Sequence, residues 1–199
     1  MPHPKTLLQL SGADLTPAAL SQSVVVTIDQ QNEYVTGMLP LTGIEKALAE
    51  GARVLERARA AGAPIIHVVH KGGKGGPFNL EGPGGQLADA VAAKDGEPLV
   101  AKPLPNAFAQ TTLQDEIDKT GRKSLIITGF MTHMCVSSTV RAALDLGYST
   151  TVVADACATR PLPTHDGGMI EADALHLAAL TELGDRFAVI IDKADKLGN

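Results

Sequence analysis

Six short apolar runs punctuate the chain, and between them hydrophobic residues recur at helical spacing. The runs are Ser23–Ile28 (SVVVTI), Pro64–Val69 (PIIHVV), a weaker Glu97–Ala101 (EPLVA), Ser124–Thr128 (SLIIT), Ser149–Ala154 (STTVVA) and Arg186–Ile191 (RFAVII). They are rich in β-branched residues and mostly continuous rather than alternating, the pattern of strands buried on both faces. From Ile44 to Ala61 apolar residues fall at 44, 47, 48, 52, 55 and 58, with Gly62 as a stop and Pro64 beyond it, which predicts a helix. Further helices are expected over Gln86–Ala93, over Gln110–Lys119, from Val136 through Val140, Ala143 and Leu144 to Gly147, and over Gly167–Leu183. Strands alternating with helices predict an α/β fold, a three-layer, doubly wound, Rossmann-like arrangement around a six-stranded parallel sheet. No repeat or linker interrupts the pattern. Residues 1–199 therefore read as a single domain whose first 22 residues form an arm, with a helical turn expected near Pro17–Leu20. In open sheets of this kind, ligands bind beyond the carboxyl ends of the strands.

Composition narrows the function. Net charge is −5 and the basic residues are scattered, which argues against a nucleic-acid partner. No apolar run is long enough to span a bilayer, and residues 1–10 lack the apolar stretch of a signal peptide, so a cytoplasmic protein without a membrane partner is expected. Aromatic residues make up only 3% of the chain, so Val, Ile, Leu and Ala must build the core. The two cysteines, Cys135 and Cys157, are too few for a disulfide framework. Lys71–Gly85 carries seven glycines and reads as a mobile loop; it holds no phosphate-binding glycine motif.

Three polar residues stand just past the ends of three strands: Asp29 after the first, Lys102 after the third and Cys135 after the fourth. All three should open onto one edge of the sheet, where they supply a base, a cation and a nucleophile. Cys135 sits where a strand gives way to a helix, and a helix start lowers a thiol's pKa. Cys157 is expected to be buried and inert, and His176 to be a structural histidine. His67 and His70 are three apart on a strand, so they point to opposite faces and make a poor chelating pair.

With these residues in place, the chain resembles the isochorismatase-like cysteine hydrolases, which include nicotinamidases and N-carbamoylsarcosine amidase. Asp29, Gln31 and Tyr34 match a D-x-Q-x-x-[FY] signature. Lys102 with Asn106, Ala107 and Phe108 resembles the family's lysine segment, Gly129–Val136 (GFMTHMCV) its nucleophile turn, and Asp155–Arg160 (DACATR) a further motif. The likeness runs from about Ser23 to Ile191. It implies a catalytic triad of Asp29, Lys102 and Cys135, a cis peptide between Phe130 and Met131, and an oxyanion hole made by the Met131 and Cys135 amides. It also implies a homo-oligomer, a dimer or larger, acting on a small-molecule substrate. Gln31, Tyr34, Phe108, Thr132, His133 and Arg160 are the candidate substrate contacts. The Asp-x-His pair that holds a metal in nicotinamidases is missing, so neither a metal nor another cofactor is expected. The presence of Cys135 favours cleavage of an amide or carbamoyl C–N bond through a thioester. Two alternatives stand beside it, an isochorismatase-type vinyl ether hydrolase and a non-catalytic small-molecule binding or assembly protein of the same fold.

Overall fold

The computed structural model describes residues 3–199. The sheet is formed by β1 (Ser23–Ile28), β2 (Ile65–His70), β3 (Leu99–Lys102), β4 (Ser124–Phe130), β5 (Ser149–Ala158) and β8 (Val189–Ile191). Its order is β3-β2-β1-β4-β5-β8, and every pairing is parallel. A two-stranded antiparallel ribbon, β6 (Leu162–Pro163) with β7 (Met169–Ile170), stands apart from it. The expected doubly wound architecture is therefore the one observed.

Strand alternation divides the core between the two faces. Val25, Ile65 and Ile126 face helix α2 (Ile44–Ala60) and pack on its Leu48, Val54, Leu55 and Ala58. Val24, Val26, Ile28, Leu125 and Ile127 face the other way. They meet Leu113 and Ile117 of α3 (Leu113–Asp118), Val140 and Ala143 of α4 (Ser137–Asp145), and Leu183 of α5 (Ala172–Arg186). With helices on both faces, both residue parities of a strand must be apolar, which is why the runs do not alternate. Gly62 and Gly147 have left-handed backbones (φ 65° and 81°) and end α2 and α4 where expected.

Local departures have local causes. The arm's helix is α1 (Leu7–Leu10), earlier than expected, because Thr6 and Gln9 form a capping box. The Leu20 region adds only a 3-10 turn, Leu20–Gln22. Residues 1–2 of the arm lie outside the described residues. No α-helix forms over Gln86–Ala93; the chain makes 3-10 turns at Pro83–Gly85 and Asp89–Val91, held by bonds such as that from Ala88 N to Gln30 O (2.9 Å). The last long helix starts later, at Ala172, because Met169–Ile170 pairs in the ribbon. Among the described residues, no helix is long and apolar enough to cross a membrane.

Candidate active site

Register brings the three candidate residues to one edge. His70 at the end of β2 is paired with Lys102 at the end of β3, and Asp29 follows Ile28, whose partner on β4 is Gly129. Gly129 is required there. Its φ is 123°, and a Cβ would lie 2.0 Å from the Ile28 carbonyl oxygen. Opposite it, β5 bulges: Ile127 pairs with Val152 but Gly129 pairs with Cys157. The extra residues lengthen β5, so Cys157 lies within the strand rather than after it, and Thr159 and Arg160 emerge at the same edge.

Beyond β4 the Phe130–Met131 peptide is cis, as the resemblance implies. The chain then makes one turn of π-helix, Thr132–Val136, before α4 begins. Cys135 belongs to this turn rather than to the start of the α-helix.

Lys102 joins the three side chains. Its Nζ lies 2.7 Å from Asp29 Oδ2 and 3.2 Å from Cys135 Sγ. Asp29 and Lys102 are fully buried and Cys135 is 6% exposed. A buried charge persists only when paired, so the carboxylate and ammonium sustain each other. Burial pushes the Asp29 carboxyl up to about 6 against the opposing charge of Lys102. Burial first and then Asp29's charge push the Cys135 thiol up to about 12, against the opposing charge of Lys102. This corrects the expectation of a low-pKa thiol, because loss of solvent outweighs the helix start. The resting site at neutral pH thus holds an ionised base beside a protonated thiol.

The other candidates divide. Tyr34 is buried, and its phenol is pushed far up by burial first and then by the charges of Asp29 and Cys135, with Arg160 acting the other way. Arg160 Nε and His133 Nε2 are buried without a hydrogen-bond partner among the described residues, while His133 Nδ1 meets Thr159 Oγ1 at 2.6 Å. The Thr132 hydroxyl donates to Ala158 O (3.1 Å) and meets His176 Nδ1 (2.9 Å). Gln31 is a backbone clamp: its Nε2 donates to His70 O and Gly85 O, and its Oε1 accepts from His70 N. Phe108 departs from the pocket assignment. Its ring stacks on Tyr148, the residue before β5 at the amino edge of the sheet.

Two neighbours of the triad escaped the sequence reading. His70 Nδ1 lies 3.5 Å from Lys102 Nζ, and Phe78 sets its ring edge-on to both His70 and Tyr34. The position of His70 at a strand end was a signal for the first; nothing local marked the second. His67 faces away, bonding Thr27 and Glu97, so the two histidines do diverge. Two surface recesses, of about 540 and 560 Å³, are lined by none of Asp29, Lys102 and Cys135, though the first reaches Thr159 and His176, the partners of His133 and Thr132.

Residues 23–195 match the isochorismatase domain. The chain belongs to the isochorismatase family. An isochorismatase of Pseudomonas putida KT2440 of known crystal structure is 42% identical, with a TM-score of 0.93 and coverage of 98% of this chain and 100% of that one. A secreted isochorismatase effector of Verticillium dahliae is 36% identical, over 92% of this chain and 95% of that protein. A streptothricin hydrolase of Streptomyces noursei is 30% identical, over 83% of this chain and 61% of its own length. The protein is accordingly a hydrolase of the isochorismatase superfamily.

Proposed function

We propose that the protein is a cysteine hydrolase that cleaves a C–N bond, amide or carbamoyl, of a small molecule through a thioester. The observation that carries this reading is Lys102 Nζ bridging Asp29 Oδ2 and Cys135 Sγ in a buried site. Asp29 accepts the thiol proton as Sγ attacks the carbonyl carbon, so no free thiolate need build up beforehand. Lys102 balances the charge of whichever partner is the anion. The Met131 and Cys135 amides hold the oxyanion, each donor contributing about 3–4 kcal/mol to the transition state. Asp29 then gives its proton to the departing nitrogen, and later takes one from the water that opens the thioester. Arg160 Nε, a donor, and His133 Nε2, a donor or acceptor according to its tautomer, are buried without a partner among the described residues and serve a polar end of the substrate.

The names of two relatives favour a second reading, hydrolysis of the vinyl ether of isochorismate. That reaction needs a proton donor but no thiol. A panel of primary amides, carbamoyl compounds and isochorismate, assayed with wild type and Cys135→Ala, separates the two. Amide turnover lost in the variant by several orders of magnitude is expected. Amide turnover retained overturns the proposal, and isochorismate turnover indifferent to the substitution moves the ether reading to first place.

A further inference from the structure

Among residues 71–84 only Phe78 is buried; the rest of this glycine-rich segment is exposed or half-exposed. Its two ends are fixed. The Gln31 amide binds His70 on one side and Gly85 on the other, Lys71 N donates to Lys102 O (2.9 Å), and Asn32 N donates to Gln86 O (2.9 Å). Between these pins the main inward tie is the Phe78 ring, with a long bond from Asn32 Nδ2 to Pro83 O (3.4 Å) near the far end. The Phe78 ring meets Tyr34 at 5.0 Å and His70 at 5.2 Å between centroids, both edge-on, and Tyr34 in turn meets Phe130 at 5.8 Å. His70 is the residue beside Lys102 Nζ, so Phe78 is one ring removed from the triad cation.

The polar support of Phe78 is slight. Its amide points to the buried Glu33 at a long 3.4 Å, and its carbonyl accepts from Gly72 N at 3.0 Å. Its φ is 56°, a left-handed conformation that an aromatic residue adopts only when packing holds it there. The glycines on either side are suited to close folding and to release. At Gly72 a Cβ would lie 1.9 Å from Pro77 O, and at Gly84 one would lie 2.4 Å from the Glu33 carboxylate.

We propose that Phe78 is a specificity-determining wall of the substrate pocket, and that residues 71–85 are the lid that carries it. The ring stands across the approach to Cys135 beside Tyr34 and limits the substrate to small amides. Larger acyl groups are excluded unless the lid lifts on its Gln31-clamped ends. This rests on the reading of Cys135 as nucleophile, but its test needs only a thiol.

The test is the rate of labelling of Cys135 by iodoacetamide and by the bulkier N-phenylmaleimide, followed by peptide mapping, in the full chain. Cys157 is the internal control, since it is as buried as Cys135 (5% against 6%) but is a residue of β5. In Phe78→Ala the maleimide rate at Cys135 should rise about tenfold or more, the change in open population that loss of a buried Phe produces. The iodoacetamide rate should rise less, and Cys157 should not change. Phe78→Leu should give a smaller rise and Phe78→Trp a fall, so the test stands if the alanine variant folds poorly. No rise at Cys135, an equal rise for both reagents, or a parallel rise at Cys157 would overturn the proposal. Because labelling does not depend on turnover, these results are distinct from failure of the hydrolase reading, which would appear as amide turnover surviving Cys135→Ala.

Discussion

Asp29 carries the most unusual surroundings of any side chain in the site. It is fully buried, its backbone is left-handed (φ 52°), and its carboxyl is pushed up to about 6 despite the ammonium at 2.7 Å. A base must be ionised to accept the thiol proton. Hydrolysis of an amide substrate should therefore rise with pH through about 6, level off above it, and fail below it as Asp29 protonates. Alkylation of Cys135 should follow the same midpoint rather than the value of about 12 to which burial and the charge of Asp29 push the thiol. A pH profile of kcat/KM alongside the labelling rate measures both. An alkaline midpoint with nothing near 6 would show that Asp29 is not the base. Asp29→Asn should erase the acidic limb together with most of the rate.

At the scale of elements, the decisive join is where β1, β4 and β5 meet. Gly129 lets the Ile28 carbonyl approach to a distance no side chain would permit, and the β5 bulge beside it sets out Thr159 and Arg160. Gly129→Ala must either push β4 from β1 or abandon φ 123°. Its expected cost is on the order of 3 kcal/mol or more, a fall of roughly 10 °C in Tm for a chain of this size. Activity should fall further than stability alone requires, because Asp29 and the Cys135 turn hang from the two strands that would part. Thermal melting and turnover at a temperature where the variant is still folded check the two claims separately. A Tm within a degree or two of wild type would mean that the strands can separate at no cost.

At the scale of the molecule, a second, partly buried network sits on the far side of β2 from the triad. Glu97 binds Arg59 (2.8 Å) and His67 (2.8 Å), and His67 reaches Thr27 (3.0 Å), tying β1, β2, α2 and the approach to β3 together. Burial alone would raise the Glu97 carboxyl, but hydrogen bonds from Arg59, the Lys94 amide and His67 outweigh it and draw it down to about 2. A carboxyl held below its ordinary value stabilises the fold above that ordinary value and loses this contribution as pH falls toward its folded value. Wild type should thus lose about 2 kcal/mol between pH 4.5 and 2 that Glu97→Gln never had, allowing for solvent around the partly exposed Arg59. Denaturant midpoints across that range measure it. Parallel loss in the two proteins would show that the network adds no acid-sensitive stability.

Much of this was readable along the chain because its causes are local. Apolar periodicity marked all six sheet strands and the long helices, since a strand between two helical layers must be apolar at both parities. The meeting of Asp29, Lys102 and Cys135 was readable for a related reason: Lys102 ends a strand and the other two follow one, and a parallel sheet brings its carboxyl ends to one edge. The 3-10 turns at residues 83–91 and the late start of α5 were not readable, because bonds to distant backbone and the β6–β7 ribbon decided them. Nor were the stacking of Phe108 on Tyr148, the seat of Phe78 on Tyr34 and His70, or the high proton affinity of Cys135. Each depends on neighbours far away in sequence and on how completely water is excluded, and both are properties of the assembled fold. The sequence by itself determined which chemical groups meet at the sheet edge; only the tertiary structure decided their proton affinities and what covers them, because burial and long-range packing set both.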